Sequence, residues 1–174
     1  KNVIFGATLH HTIPHNTSVL LADKIQHVEK RHYVPLAEEA YPFWLSQWMR
    51  SFHLPVSRYE FPVKIETPTM AIYKDGIRFT LGVLICYDAA YSIYEPIDKA
   101  IDFYVIQSES VWFSSYVARH QQLSIARTLA SLSHKPVLHV ANAGNLAFID
   151  KHGSIFNSTN SAKNTTLTSN IEIP

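Results

Sequence analysis

A strand-like run, IDFYVI at residues 101–106, is followed by the best helix of the chain at 115–133 and then by a second strand-like run, PVLHVA at 136–141. The helix carries apolar residues at Val117, Leu123, Ile125, Ala126, Leu129 and Leu132, close to the repeat of an α-helix with one buried face. Strand, helix and strand in succession call for a sheet with helices packed on it. Hairpins are mixed in. Residues 69–73 and 77–85 bracket Lys74-Asp75-Gly76, and residues 146–150 and 154–156 bracket Lys151-His152-Gly153. Both are turn signals between apolar runs. The combination predicts an α/β layer fold with a mixed sheet.

The N-terminal half reads as strands at 3–7 and 18–22, with 25–28 extending a hairpin, and then a polar loop over 29–42. Residues 41–52, YPFWLSQWMRSF, place aromatics at helical spacing with Pro42 in a first turn. This helix either covers a core or forms a lid over an apolar substrate. Residues 91–100 predict a short helix, and 165–173 predict a last edge strand after a Ser/Thr/Asn-rich loop. There are no internal repeats and no linker, so the chain reads as one domain over residues 1–174.

With 47% hydrophobic and 17% charged residues the chain is globular rather than disordered. A net charge of +1 and the lack of a long basic run give no electrostatic footprint for nucleic acid. No apolar run reaches the length of a membrane span. The first residues read as a strand rather than a signal peptide, and the chain does not open on methionine, which suggests that it begins within something longer or after processing. The sequons at Asn16, Asn157 and Asn164 carry little weight without a secretory context. His10, His11 and His15 lack an adjacent carboxylate or cysteine and read as a loop cluster, so no metal site and no cofactor is expected.

Chemistry centres on Cys86, the one cysteine. No internal disulfide is possible, so cysteine usage does not fix a compartment. Cys86 ends the run Gly82-Val83-Leu84-Ile85 and is followed at once by polar residues. A strand that stops on a nucleophile presents it at the rim of a sheet, and a helix starting there would stabilise the thiolate. Around it, in order, stand Lys30-Arg31-His32-Tyr33-Val34-Pro35 with Glu38, then Trp112-Phe113 with His120-Gln121 and Ala126-Arg127, then Asn142-Ala143-Gly144 and Ile149-Asp150.

In these ordered motifs the chain resembles the nitrilase superfamily of carbon–nitrogen hydrolases, and within it most closely the apolipoprotein N-acyltransferase branch. The resemblance runs from about Val3 to about Gly153. It departs from the branch at Leu36-Ala37-Glu38, where the branch has phenylalanine-glycine-glutamate, and at Asp88, where the acyltransferases usually carry glutamate. It implies an α-β-β-α sandwich with mixed sheets and a glutamate–lysine–cysteine triad. Cys86 would be the nucleophile, forming an acyl-enzyme with an amide or acyl substrate. Lys30 would favour the thiolate and stabilise the oxyanion, the backbone N–H of Tyr87 would be a second oxyanion donor, and Glu38 would position the site. Trp112, Phe113 and Asn142 are candidates for the substrate pocket, although Trp112 and Phe113 could equally cap the core and Asn142 could serve a tight turn. Arg127 is expected to pair with a carboxylate. His32 reads as structural.

The triad's general base is a glutamate that the family places ahead of the strand at Val3, so the domain reads as N-terminally truncated, with first strands and that base outside it. The implied function is carbon–nitrogen hydrolysis or N-acyl transfer through a cysteine thioester. The alternative is an inactive nitrilase-fold module that binds a partner or ligand, for example in conjugal transfer, since conjugal-transfer proteins of the TraB type carry the same kind of domain. The acyltransferase resemblance implies a membrane-attached parent protein with the domain on the periplasmic side of the bacterial inner membrane; a plain amidase would be cytoplasmic. A homo-oligomer is expected because such domains associate through their sheets.

Overall fold

The computed structural model describes residues 2–10, 14–34, 43–52, 68–111, 116–142, 144–159, 166–171 and 173. Strands β1 (Val3–His10), β2 (Pro14–Leu21) and β3 (Ile25–Glu29) form an antiparallel sheet in the order β1-β2-β3. Helix α1 spans Phe43–Ser51. A second sheet has the order β4-β5-β6-β7-β8-β9, made by Thr69–Lys74, Ile77–Ile85, Phe103–Glu109, Val137–Asn142, Leu146–Ile149 and Ile155–Thr159. Its centre, β5-β6-β7, is parallel and its flanks are antiparallel. The parallel strands are connected through α2 (Asp88–Ser92) and α3 (Tyr116–Ser133).

Alternation of side chains along the central strands sends one set to each face. Leu84, Tyr104, Ile106 and Val137 pack with Ala89 of α2 and with Leu123, Ala126, Leu129 and Ala130 of α3. Leu81, Val83, Phe103 and Val105 face the other way, against Leu20 of β2 and Met70 of β4. Ile4 and Val28 extend this second core into the three-stranded sheet. The layers are therefore helix, sheet and sheet. The sheets are also stitched along one side by a single amide. Gln26 Nε2 donates to the Ala71 carbonyl at 2.7 Å, and the Ala71 N–H donates to Gln26 Oε1 at 2.8 Å. A side-chain amide thus takes the place of a peptide group at the edge of β4 and covers what would be an open pairing site.

Three expectations are corrected. The short helix after the cysteine is Asp88–Ser92, not 91–100. It starts directly on the turn that follows the nucleophile strand, and Pro96 cannot donate the backbone hydrogen bond a longer helix would need. Residues 166–171 contain no strand; the segment is held by Asn157 Nδ2 on the Thr168 carbonyl at 3.1 Å and by Ile173 against the inter-sheet core. On α3, Val117 and Leu132 are exposed, because the buried face is set by Leu123, Ala126, Leu129, Ala130 and Ser133.

Candidate active site

Strand β5 ends at Ile85, and Cys86 turns the chain into α2 with φ +54°. A left-handed backbone at a residue with a Cβ costs about 1–2 kcal/mol. Cys86 holds it because the turn is fastened on both sides. Its N–H donates to the Gln107 carbonyl of β6 at 2.7 Å, and its carbonyl accepts from Ala89 at 3.2 Å. The result is a sharp strand-to-helix turn with Cys86 partly exposed at its apex. The first residues of α2 are closed by their own turn, Ala90 N–H donating to the Tyr87 carbonyl at 3.1 Å.

This apex lies at the carboxyl ends of the parallel strands, where α/β sheets place their ligands. Residue pairing puts Ile85 beside Gln107 and Glu109 beside Asn142. Past β6, Ser110 is fully buried and its N–H donates to the Asn142 carbonyl at 3.0 Å. Asn142 itself is exposed and donates from Nδ2 to Glu109 Oε2 at 2.9 Å. From α3, Gln122 brings Nε2 to 3.9 Å from the Cys86 sulfur, and its Oε1 accepts from the Ser110 hydroxyl at 2.9 Å.

The other side of the site comes from the end of β3. Lys30 is buried, its N–H on the Asn16 carbonyl at 2.8 Å. The two residues that follow are captured by Asp88, two positions after the cysteine. Asp88 Oδ1 accepts from the Arg31 N–H at 3.1 Å and the His32 N–H at 2.6 Å, while Oδ2 accepts from the Ile85 N–H at 3.1 Å. One buried carboxylate therefore joins the Lys30 segment to both sides of the cysteine turn. Burial is the strongest influence on Asp88 and raises its pKa above the ordinary 3.8; the N–H groups of His32 and Ile85 and the charges of Arg31 and Lys30 pull it down.

Around this anchor the Arg31 guanidinium forks onto Glu95, at 3.1 Å and 2.9 Å. The His32 ring stacks on Tyr91 at 4.2 Å, with Nδ1 3.2 Å from Asp88 Oδ1 and Nε2 3.7 Å from Glu95 Oε1. Both ring nitrogens thus face carboxylates. Arg127, expected to pair with a carboxylate, instead donates from Nε to the Gly153 carbonyl at 2.8 Å.

Lys30, Cys86, Tyr87 and Asn142 are thus placed at one end of the molecule by the ends of β3, β5 and β7 and the bonds just described. Glu38, Trp112 and Phe113 lie outside the described residues, as does His11. Among the described residues no group of three or more His, Cys, Asp or Glu side chains is arranged to hold a metal ion, and no helix is long and apolar enough to cross a membrane. Sequence reasoning did not find Gln122 or Ser110. It noted Asp88 only as a departure from a motif. Its signal was an acidic residue two positions after the cysteine, at the start of a helix.

This arrangement, a mixed sheet with a second sheet on one face and helices on the other, is similar to the fold of solved nitrilase, or carbon–nitrogen hydrolase, superfamily members. A carbon–nitrogen hydrolase from Helicobacter pylori superposes with a TM-score of 0.60 at 12% identity, over 91% of this chain and 57% of that one. The amidase from Nesterenkonia, in a mutant form with acrylamide added at its active-site cysteine, gives 0.58 at 11% identity, over 91% of this chain and 59% of that one. In sequence the chain is similar to apolipoprotein N-acyltransferases. That of Coxiella burnetii is 30% identical over 146 residues, which are 82% of this chain and 29% of the relative. The chain therefore spans under a third of that relative's length. No protein-family model matches it.

Proposed function

We propose that this chain carries a carbon–nitrogen hydrolase-type site in which Cys86 accepts an acyl group as a thioester from an amide or acyl donor. The observation that carries the reading is the Cys86 turn: a left-handed nucleophile at the carboxyl ends of parallel strands, tied through Asp88 to the segment that begins with Lys30. In this reading the Cys86 thiolate attacks the donor carbonyl carbon. A C–S bond forms and the carbonyl π pair moves to oxygen. The Lys30 ammonium and the Tyr87 N–H stabilise that oxyanion. The intermediate collapses, the C–N bond of an amide donor or the C–O bond of an ester donor breaks, and the amine or alcohol leaves with the proton first taken from the thiol. The shuttle for that proton is the glutamate that the family resemblance assigns ahead of β1, with Glu38 positioning the site. The family resemblance assigns Trp112, Phe113 and Asn142 to the acyl pocket. Water as acceptor gives hydrolysis; an amine gives N-acyl transfer. The similarity to N-acyltransferases supports transfer, and the family resemblance implies an acyl chain and a membrane-attached parent protein.

Incubation with a short-chain p-nitrophenyl ester tests the thioester directly. The intact mass should rise by one acyl group, and the Cys86→Ala chain should gain nothing. A native chain whose Cys86 is alkylated by iodoacetamide but never acylated would favour a module that binds without turnover.

A further inference from the structure

The triad reading leaves Gln122 unused, although its Nε2 is 3.9 Å from the nucleophile sulfur. Three observations give it a function. First, the amide has a fixed orientation. A side-chain amide can present either oxygen or nitrogen to a neighbour. Here the nitrogen is turned to sulfur, the end from which a thiolate can accept, and Oε1 accepts from the Ser110 hydroxyl at 2.9 Å. Second, Ser110 is itself held. It is fully buried at the end of β6, and its N–H is bonded to the Asn142 carbonyl. Third, Gly144 is pressed against it. A Cβ on Gly144 would stand 2.7 Å from Ser110 Oγ, 3.0 Å from Ser110 Cβ and 2.7 Å from Ala141 Cβ. The bare glycine is what lets the chain after β7 close over the Ser110 hydroxyl.

We infer that Gln122 is a positioning residue for the nucleophile: its Nε2–H donates to the Cys86 thiolate, and Ser110, backed by Gly144, sets the direction of that donation. This deepens the thioester reading and rests on it for the use made of the sulfur. A neutral donor strengthens its bond as the acceptor gains charge, so Gln122 favours thiolate over thiol and fixes the side-chain rotamer at the turn. Lys30 supplies charge from the β3 side and Gln122 supplies direction from the α3 side. Gly144 then acts on the site through Ser110.

The test is the pH profile of Cys86 alkylation by iodoacetamide in the chain and in Gln122→Leu, Gln122→Glu, Ser110→Ala and Lys30→Ala, each first checked for native circular dichroism. A hydrogen bond to a charged group predicts about a tenfold slower reaction at neutral pH in Gln122→Leu, with the profile moved to higher pH by about one unit. Gln122→Glu, which keeps the shape but sets a carboxylate beside the sulfur, should slow it further. Ser110→Ala should shift the profile in the same direction by less, and the Ser110→Ala, Gln122→Leu double variant should match Gln122→Leu alone, because both changes remove one interaction. Unchanged profiles in folded Gln122→Leu and Gln122→Glu would overturn the inference. The Lys30→Ala arm separates the two readings. A shift there without one at Gln122 leaves the triad and removes this inference; a shift at Gln122 without one at Lys30 does the reverse.

Discussion

The carboxylate of Asp88 accepts the backbone N–H of His32 at 2.6 Å across 56 residues of sequence. That bond, with its companions to Arg31 and Ile85, fixes the distance between the end of the small sheet and the nucleophile turn of the large one. The register of either sheet could be perfect and the site still unformed without it. Asp88 is fully buried, so its value comes from the donors it satisfies rather than from charge alone.

Asp88→Ala should cost about 3 kcal/mol or more of folding stability, because it leaves three backbone donors without their acceptor and uncovers the buried Lys30 charge. Asp88→Asn should cost less, since one oxygen remains to accept. Urea unfolding midpoints at constant m-value measure both. Equal stability in all three chains would show that the Lys30 segment is held by something else.

His139 is buried on β7, its Nδ1 2.9 Å from the Asn145 carbonyl, and burial lowers its pKa below the ordinary 6.5. The unfolded chain then binds this proton more readily than the folded one. Its contribution is fully present above about pH 6.5 and is lost as pH falls from there towards the lowered folded value, at no more than about 1.4 kcal/mol per pH unit. Asp88 has the opposite sign. Its raised pKa makes the fold gain relative stability as pH falls through its folded value towards 3.8. Thermal unfolding between pH 7.5 and 5 should therefore show declining stability, and His139→Gln should flatten that slope. A slope identical in the variant would remove His139 as its source.

Two glycines should respond differently to alanine. Gly153 has φ +81°, and a Cβ there would meet the Arg127 carbonyl oxygen at 2.8 Å. Backbone cannot yield cheaply, so Gly153→Ala should lose about 2 kcal/mol or more. At Gly82 the obstacles are the Tyr104 ring at 2.6 Å and Ile101 Cδ1 at 2.9 Å, both side chains in the helix-side core. Gly82→Ala should cost about 1–3 kcal/mol through repacking of that ring. Tyr104, whose burial raises its pKa to about 12, provides the readout: a displaced ring should ionise at lower pH in an ultraviolet titration.

Much of the frame was legible because it rests on local signals. The two β-hairpins around Lys74-Asp75-Gly76 and Lys151-His152-Gly153 follow from turn chemistry; Gly76 and Gly153 both adopt positive φ. The long helix and its flanking strands follow from periodicity. The helix at 91–100 failed because its start is set by a tertiary event, the capture of Asp88 by the β3 segment, which no periodicity records. The edge strand expected at 165–173 is absent over 166–171, where the Thr168 carbonyl accepts a side-chain bond from Asn157 of β9. At the site, the order of motifs pointed to Lys30 and Cys86, whereas Gln122 and Ser110 meet from different elements through one hydrogen bond. Neither has a local pattern that announces it.

In the proposed mechanism Lys30 and Cys86 share one site. The rate of Cys86 alkylation across pH, in this chain and in Lys30→Ala, tests it most directly. A fast reaction at neutral pH that slows about tenfold in the variant, with its profile moved to higher pH, is the predicted result. A slow reaction with the same profile in both chains would contradict the claim.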